Sequence, residues 1–338
     1  MQFKIKLQSI FYCFINNFAE KYVFGDVWYM KEKKLLKAYT GINKDLENPI
    51  LKILVSYIKP SFLFKTDVLT PIHLGRAVEK EISKDGIIPD EAVKWLHENC
   101  IGDDDFEGNI SSVNRRVGFL TGTYWAWKNY DKLGNPVYFG SFGYRRLFDP
   151  HFLKKLQNYD VVLPKTYPCK QGSIKKHMID HHGSAIYEIM LTALKQIHLE
   201  DVNLFEIYMN QKNAYFLELY VMKKHIFFAF CEWIFPLLFL LLQIDLKEFE
   251  LSEQELKAVL ECNNQTGEQY SLYKMRDIGF IIERLTGFYL YKLVHEAHYN
   301  CLISDVVMIK PRVTFTQKIE KYKKRLLKTY TKIILNNK

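Results

Sequence analysis

Two adjacent arginines, Arg145 and Arg146, are the residues of this sequence whose type and spacing point most directly to chemistry. They follow Tyr144 and a short β-rich run at 137–142, so they stand where a strand ends. A guanidinium group is planar and permanently charged, and it matches the oxygens of a phosphate. In open α/β sheets, ligands bind at the carboxyl ends of the strands. The pattern predicts a site for a phosphate-bearing substrate, and a pair of solvent-exposed arginines is the alternative.

An acidic, glycine-punctuated loop at 102–108 precedes the arginines in the chain. Clustered carboxylates are what a hard divalent cation requires, but three consecutive aspartates at 103–105 cannot all converge on one ion. We favour a solvated turn in which Asn109 or Ser111 caps the next helix. A metal-binding or sugar-binding role for the loop stays open.

Two further groups of side chains have the chemistry of a site. His177, His181 and His182 form an H-x3-H-H pattern on a helical stretch, but no glutamate of an HExxH motif accompanies them. We therefore favour a histidine that lines a polar cleft over a zinc site. Glu283 and Arg284 lie on a largely apolar helical stretch. They form either a structural ion pair or a general base with its neighbour.

The composition and charge limit the class of protein. With 338 residues, 48% of them hydrophobic, the chain is long and apolar enough for one large domain or two ordinary ones. Six cysteines without a CxxC pair indicate the reduced thiols of a cytosolic protein. The net charge is +9, and residues 310–338 are rich in Lys and Arg with the single acid Glu320.

This basic tail shows amphipathic helical spacing and no nucleic-acid-binding motif. Attraction to an anionic lipid surface is the favoured interpretation. A merely solvated helical end is the alternative, and a nucleic-acid binder is disfavoured.

The elements that must position these side chains alternate along the chain. Strands are predicted at 50–57, 68–75, 137–142, 160–164, 215–222 and 303–309. Helices are predicted at 79–100 with a fresh start at Pro89, and at 112–129, 174–197, 226–242, 252–260 and 275–294. For 226–242 we favour a buried core helix broken at Pro236 over a membrane span, since Glu232 lies inside it. This alternation predicts an α/β sandwich with a mainly parallel sheet.

Several sequence blocks together resemble one family. They are Leu54-Val55-Ser56-Tyr57-Ile58-Lys59-Pro60, Thr70-Pro71-Ile72-His73-Leu74-Gly75, the loop at 102–111, Tyr124-Trp125-Ala126-Trp127-Lys128-Asn129, Tyr144-Arg145-Arg146, and blocks at 222–224, 231–235 and 279–285. This set resembles the bacterial capsule and exopolysaccharide biosynthesis proteins grouped as domain of unknown function 4422, regarded as glycosyltransferases of GT-A type. The likeness runs from about Ile50 to Leu293.

The chain departs from the family's usual residues at four places. Ile58 and Gly143 replace histidines, Phe119 replaces a glutamate, and Glu218-Leu219 replaces Asn-Met. The first three changes remove polar groups from positions expected to face the cleft. Two alternatives to an active enzyme follow. One is a catalytically impaired paralogue, and the other is a membrane-associated scaffold of a polysaccharide assembly complex.

The resemblance implies a GT-A-like domain at 49–300, with a helical extension at 1–48 and the basic tail at 301–338. It implies a glycosyltransferase that moves a sugar from a nucleotide-sugar donor to a growing capsule, exopolysaccharide or lipopolysaccharide glycan. The expected partners are that donor, a glycan or lipid-linked acceptor, and the anionic inner-membrane surface, but no nucleic acid. The expected location is the cytoplasm, or the inner face of the cytoplasmic membrane.

The resemblance also suggests roles for individual residues. Arg145 and Arg146 neutralise the diphosphate where metal-dependent relatives place Asp-x-Asp, and Glu283 is the general base. The positions expected to contact substrate are Tyr57, Lys59, Asp104, Asn109, Trp125, Tyr144 and His181. No metal ligand is assigned, and Mn or Mg as a cofactor stays open.

Overall fold

The computed structural model describes residues 30–44, 48–83, 86–244, 251–267, 276–296 and 298–309. The chain divides into two compact units, one comprising 1–37 with 309–338 and the other 38–308. Helix α1 (Met30–Ala38) is the described element that begins in the first unit. Most of the predicted N-terminal extension, and the basic tail from residue 310, lie outside the described residues. The elements that follow belong to the second unit.

A mixed sheet of nine strands forms the centre of this unit. Its strands are β1 (Leu51–Tyr57), β2 (Leu69–His73), β3 (Ile101–Gly102), β4 (Tyr138–Gly143), β5 (Arg146–Phe148), β6 (Val161–Pro164), β9 (Tyr220–Lys223), β10 (Cys301–Ser304) and β11 (Val306–Met308). The main path runs β10-β6-β9-β4-β1-β2-β3, with β5 joining β4 to β11. A separate two-stranded sheet pairs β7 (Tyr167–Pro168) with β8 (Asn213–Ala214).

The strand directions give the sheet its polarity. Strands β4, β1, β2 and β3 are parallel, β10 is parallel to β6, and β9 is antiparallel to both β4 and β6. Strand β1 is apolar at almost every position because helices and loops cover both faces of a parallel sheet. The predicted α/β architecture with a mainly parallel, GT-A-like sheet is confirmed.

The helices lie between these strands in the chain. They are α2 (Asp90–Asn99), α3 (Asn114–Val117), α4 (Leu120–Lys128), α5 (Ile174–His182), α6 (Ser184–Ile197), α7 (Val202–Met209), α8 (Lys224–Leu242), α9 (Glu253–Asn263) and α10 (Asp277–His295). A longer 3-10 segment spans Pro150–Asn158.

Strand β4 shows how both faces of the sheet are covered. Phe139 packs against Phe227 of α8, with 4.1 Å between ring centroids. The neighbouring Tyr138 points to the other face, where its hydroxyl donates to the carbonyl oxygens of Leu156 and Tyr159. Successive side chains of a strand face opposite ways. One strand therefore anchors α8 on one face and the 3-10 segment on the other.

Helix α8 was predicted to be buried and broken at Pro236. It is buried over most of its length, but it runs without a break through Pro236. The proline and Glu232 are both exposed. Proline has no N–H, so the carbonyl of Glu232 lacks the hydrogen bond that it would accept in a regular helix. This carbonyl therefore lies on the exposed side of the helix, at the outside of the unit. By length and hydropathy α8 is the one described helix that fits a membrane span, and 56% of its apolar window is buried in the protein.

Two other predicted helices are divided by glycines. The stretch 112–129 breaks at Gly118 between α3 and α4, and 174–197 breaks at Gly183 between α5 and α6. Gly183 has φ +92°, which L side chains rarely adopt, and a Cβ there would lie 2.3 Å from a methyl of Leu251. Among the described residues of the stretch 79–100, those from Asp90 form the α-helix, as the fresh start at Pro89 predicted.

The edges of two predicted segments also differ. The strand predicted at 215–222 is extended as β9 only from Tyr220, because Glu218 has a left-handed backbone with φ +49°. Strand β10, which begins at Cys301, pairs with β6. The sheet therefore continues past the domain boundary predicted at residue 300.

Candidate functional site

A cleft of about 480 Å³ opens at the carboxyl ends of β1 and β4. Ser56, Ile58 and Lys59 line it from the end of β1, and Gly143 lines it from the end of β4. The tight turn from β4 into β5 supplies Tyr144, Arg145 and Arg146. The volume lies within the usual range of small-molecule sites, roughly 300–1,000 Å³. This is the edge where parallel sheets bind ligands.

The charged side chains in the wall of this cleft are mainly cationic, and we call it the cationic cleft. Five of its described lining residues are basic, namely Lys59, Arg115, Arg145, Arg146 and Arg276. Two are acidic, namely Glu218 and Glu283. Focused positive charge in a concave wall raises the local concentration of anions. The electrostatics of the cleft therefore favour a multiply charged anion such as a diphosphate.

Arg145 and Arg146 are held by the turn rather than by carboxylates. Arg146 pairs with Gly143 in the sheet, and the Arg145 guanidinium lies 5.8 Å from the ring centroid of Tyr144. The Tyr144 ring stacks on the Tyr57 ring at 5.4 Å. In the part of the chain that the structure describes, neither arginine forms an ion pair with an acid. Their charges are therefore available to a ligand.

Arg115 contributes a braced guanidinium to the same wall. Its Nη2 donates to the carbonyl oxygens of Val78 (2.9 Å) and Glu81 (3.1 Å). Burial lowers the pKa of the guanidinium from its usual value. Its buried Nε has no hydrogen-bond partner among the described residues. The two hydrogen bonds hold this arginine rigidly, so its positive charge is fixed in the wall of the cleft.

The two acids of the cleft come from different elements. Glu283 lies on α10, and its carboxylate accepts a hydrogen bond from the buried Arg284 beside it. Glu218 lies just before β9 in the left-handed backbone region. Burial and the nearby Glu283 raise the pKa of Glu218 well above its usual value, although Arg276, Arg146 and Arg284 act against this. The cleft thus holds one carboxylate that is paired with an arginine and one whose pKa is raised.

The acidic loop has a structural role at its first residue. Asp103 is fully buried. Its carboxylate accepts from the backbone N–H groups of Gly75 (2.7 Å) and Arg76 (3.1 Å), and from the hydroxyls of Ser111 and Thr121. Four donors therefore use the lone pairs that a metal ion would need.

The next two aspartates turn elsewhere. An Asp104 oxygen lies 3.7 Å from Nε of Arg76, and Asp105 accepts the indole N–H of Trp125. The Asp103 oxygens are occupied by four donors, and the next two aspartates face separate partners. The carboxylates of this loop therefore do not converge. The donor set of the described loop does not fit a divalent cation.

A family model described as Domain of unknown function (DUF4422) matches residues 52–296, which is most of the chain and includes the whole cationic cleft. The chain belongs to the DUF4422 family. The resemblance inferred from the sequence blocks is therefore confirmed at the level of the family.

Among solved structures, the apo structure of WbbM, a bifunctional glycosyltransferase, is similar to this DUF4422 chain. The TM-score is 0.58 at 20% sequence identity. The match covers 77% of this chain and 45% of the WbbM chain, so this chain spans less than half the length of that protein. At this identity the likeness establishes the fold alone, which this chain shares with the matched part of WbbM. None of the curated proteins matches the chain.

The structure brings half of the predicted site residues of the DUF4422 chain to the cleft. Those that line it are Lys59, Tyr144, Arg145, Arg146 and Glu283. Tyr57 lies directly behind them, fully buried, where its hydroxyl donates to the Phe62 carbonyl and accepts from the Phe64 N–H. Burial raises the pKa of that hydroxyl, so it stays protonated. Tyr57 supports Tyr144 by stacking and does not line the cleft.

The other predicted residues lie outside the described lining. Trp125 is buried, and Asn109 stabilises its own turn by donating to the Phe106 carbonyl (2.8 Å) and accepting from the Ser111 N–H (3.1 Å). We expected Asn109 or Ser111 to cap the next helix, but neither does: the Asn109 side chain closes its own turn, and the Ser111 hydroxyl accepts from the Ala77 N–H and donates to Asp103. Asp104 lies in the same loop. These three residues organise the acidic loop.

His181 lies on α5 and contacts α9. One ring nitrogen lies 2.9 Å from Oδ1 of Asn263 on α9. The ring of His177, one helical turn earlier, is tilted against it with 4.3 Å between centroids, and Nδ1 of His177 lies 3.2 Å from Nη2 of Arg284. Burial and Arg284 lower the pKa of His177 to about 4. His177 and His181 therefore share one face of α5, beside Arg284, and neither is part of the described lining of the cleft where a histidine was expected.

A second cluster joins His73, Glu79 and His97, whose ligand atoms lie within 4.8 Å of one another. Glu79 lies 2.8 Å from Nε2 of His97, and the other ring nitrogen of His97 lies 3.2 Å from a guanidinium nitrogen of Arg76. Burial lowers the pKa of His73 to about 4, which keeps the imidazole neutral. Arg76 already uses the lone pair of His97 and places a positive charge beside the cluster. This arrangement favours a hydrogen-bond chain over a metal site.

Sequence reasoning missed three charged residues of the described cleft lining, Arg115, Arg276 and Glu218. Arg115 and Arg276 belong to helix starts far apart in the chain, and only the fold brings them to one wall. Glu218 was noted only as a departure from the family's asparagine. The family's asparagine at this position was the available signal. Asparagine often adopts the left-handed backbone, and glutamate rarely does.

Proposed function

We propose that this DUF4422 chain is a glycosyltransferase that takes a sugar from a nucleotide-sugar donor. The proposed acceptor is a glycan or lipid-linked glycan of a capsule, exopolysaccharide or lipopolysaccharide. One observation carries the proposal: five cationic side chains converge at the carboxyl ends of β1 and β4. The glycosyltransferase fold and the family membership support it.

In this proposal Arg145 and Arg146 bind the diphosphate of the donor. When the bond from the anomeric carbon to the phosphate oxygen breaks, negative charge grows on the departing nucleoside diphosphate. Fixed guanidinium groups stabilise that charge without reorganising. Because the described acidic loop offers no converging carboxylates, we propose that arginines replace a metal ion in this role.

The acceptor hydroxyl must also lose its proton. Glu283, the acid suggested by the family resemblance, lines the cleft and is the first candidate for this role. Glu218 is the other carboxylate of the described lining. The cleft thus pairs cations for the leaving group with carboxylates for the acceptor, which are the two requirements of glycosyl transfer.

A second candidate function is binding without turnover. It is favoured by the apolar Ile58, which is 40% exposed in the cleft, and by Gly143, where no atom lies within 4 Å of an added Cβ. A paralogue of this kind would still bind a nucleoside diphosphate. Turnover of the donor therefore separates the two candidates.

The replacement Arg145→Ala tests the proposed function. We expect it to lower the release of nucleoside diphosphate from the donor by about 100-fold or more, since one charge-stabilising donor contributes about that factor. Turnover would be measured on UDP- and GDP-sugars with water as acceptor. Lys94→Ala, an exposed residue of α2, is the control with an equal loss of charge and should retain the wild-type rate.

The same assay addresses the metal. We expect similar rates with excess EDTA and with manganese. Wild-type rates in Arg145→Ala, or turnover that requires manganese, would overturn the assignment of the diphosphate to the arginines. Diphosphate binding without any turnover in the wild type would select the second candidate function.

A further inference from the structure

Glu218 is a carboxylate in an unusual setting within the cationic cleft. Its backbone has φ +49°, in the left-handed region that costs a non-glycine residue about 1–2 kcal/mol. Asparagine adopts this region more readily than glutamate does. Strained residues of this kind cluster at active sites. The local backbone gains nothing from a glutamate here, so the reason for its presence lies in the cleft that it faces.

The charged groups around Glu218 come from three segments. Glu283 and Arg284 face it from α10, Arg276 from the residue that precedes that helix, and Arg146 from β5. Arg146 is one of the two arginines proposed to hold the donor diphosphate. Glu218 and Arg146 line the same cleft, so the carboxylate lies in the cavity where the donor bond would break.

The two carboxylates of the cleft differ in their partners. Glu283 is paired with Arg284, whose side chain is 3% exposed. One oxygen of Glu283 is therefore already engaged by a buried guanidinium. Glu218 forms no ion pair within the described chain. The pKa of Glu218 is raised by burial and by Glu283. A general base is most effective when it binds its proton near the working pH.

We propose that Glu218 is the catalytic base of the transfer and that Glu283 is a positioning residue that holds Arg284 and the negative field around Glu218. This inference rests on the proposed function. In the step, the acceptor oxygen forms a bond to the anomeric carbon as its proton moves to the Glu218 carboxylate. The bond from that carbon to the phosphate oxygen breaks, and its electron pair leaves with the nucleoside diphosphate. Glu218 returns the proton to water after product release.

The test measures nucleoside diphosphate release from UDP- and GDP-sugars, with water as the acceptor, across pH 4–9 on the full chain. We expect Glu218→Gln to lower the rate by about 100-fold or more, as for loss of a positioned base. Binding of free UDP or GDP, measured by calorimetry, should change less than about 3-fold, because the arginines remain.

Glu218→Asn guards against a folding defect. Because Asn tolerates the left-handed backbone, this variant should melt at or above the wild-type temperature and yet remain inactive. In the wild type the rate should rise with pH as Glu218 loses its proton, with a midpoint above 4.5. This rise of the rate at acidic pH, the acidic limb of the profile, should persist in Glu283→Gln, although the rate is lower. It should be absent from the residual activity of Glu218→Gln.

Different outcomes would overturn the role of Glu218 and the proposed function. Glu218→Gln with the wild-type rate, or Glu283→Gln without the acidic limb, would overturn the role of Glu218 and leave the proposed function standing. A wild-type chain that binds neither UDP nor GDP and releases neither from any donor would overturn both.

Discussion

At the scale of single residues, the chemistry of a carboxylate in this chain depends on the donors around it. Asp103 accepts four hydrogen bonds and is fixed in the core. Glu283 is neutralised by Arg284, and Glu218 faces the cleft with no ion pair among the described residues. These three acids therefore have three different surroundings, and the roles proposed for them are structural for Asp103, positioning for Glu283 and catalytic for Glu218.

The positions of Ile58 and Gly143 lead to a prediction of increased activity. Both line the cleft, and an added side chain at Gly143 enters open space. Histidines there would donate hydrogen bonds to a charged phosphate, each contributing about 1.5–3 kcal/mol. We expect the double variant Ile58→His, Gly143→His to raise donor turnover by about 10-fold or more.

The matched control for this variant is Ile87→His, Gly267→His. It makes the same two replacements outside the described lining, at an exposed isoleucine and at a glycine with open space around its Cβ. Both variants would be compared by nucleoside diphosphate release. No gain over this control would show that the family histidines are not what limits this member.

Residues near a strand end could be predicted as part of the site, and residues brought by helices could not. Lys59, Arg145 and Arg146 follow β1 and β4 directly, and parallel strands deliver their carboxyl ends to one edge. Arg115 and Arg276 reach the cleft only through packing of helix starts that lie far apart in the chain. Trp125 has the chemistry of a sugar-stacking residue, but packing buries it in the core. The spacing of residues along one element does not reveal which of its faces is covered.

At the scale of elements, the loop after β2 is joined to the start of α4 by Asp103. Gly75 in this loop has φ +69°, and its N–H, like that of Arg76, points at the Asp103 carboxylate. Thr121 near the start of α4 donates to the same carboxylate at 2.6 Å. This connection places α3 and Arg115 against the end of β2. The helical and strand periodicities predicted the elements well, but not the breaks at Gly118 and Gly183, where the backbone has positive φ and, at Gly183, Leu251 packs closely.

The replacement Asp103→Asn tests this connection. The amide places an NH₂ group against donors that face a carboxylate oxygen in the wild type. We expect the free energy of unfolding to fall by about 3–5 kcal/mol, because a buried charged network is broken. The control Asp104→Asn makes the same change at a partly exposed residue whose nearest cation is 3.7 Å away, and should cost less than about 1 kcal/mol. Urea titration would measure both. Equal losses in the two variants would contradict the structural role of Asp103.

At the scale of the whole molecule, positive charge is concentrated in two places. One is the cationic cleft, whose five basic residues are proposed to bind the donor. The other is the sequence 310–338, outside the described residues, where lysines alternate with apolar positions such as Ile319, Leu326 and Ile334. A transferase that acts on a lipid-linked acceptor works at a surface that carries anionic lipid. We therefore propose that the two regions divide the work, the first binding the donor and the second the membrane.

Deletion of residues 312–338 tests this division. Each Lys or Arg near an anionic surface contributes about 1 kcal/mol, so the full chain should bind vesicles containing phosphatidylglycerol and release them at high salt. The truncated chain should bind them at least about 10-fold more weakly while keeping its rate of donor hydrolysis, because the cleft lies within 56–283. Sedimentation with vesicles would measure binding, with neutral phosphatidylcholine vesicles and duplex DNA as controls. Unchanged binding to the anionic vesicles, or stronger binding to DNA than to them, would rule out the tail as a membrane anchor.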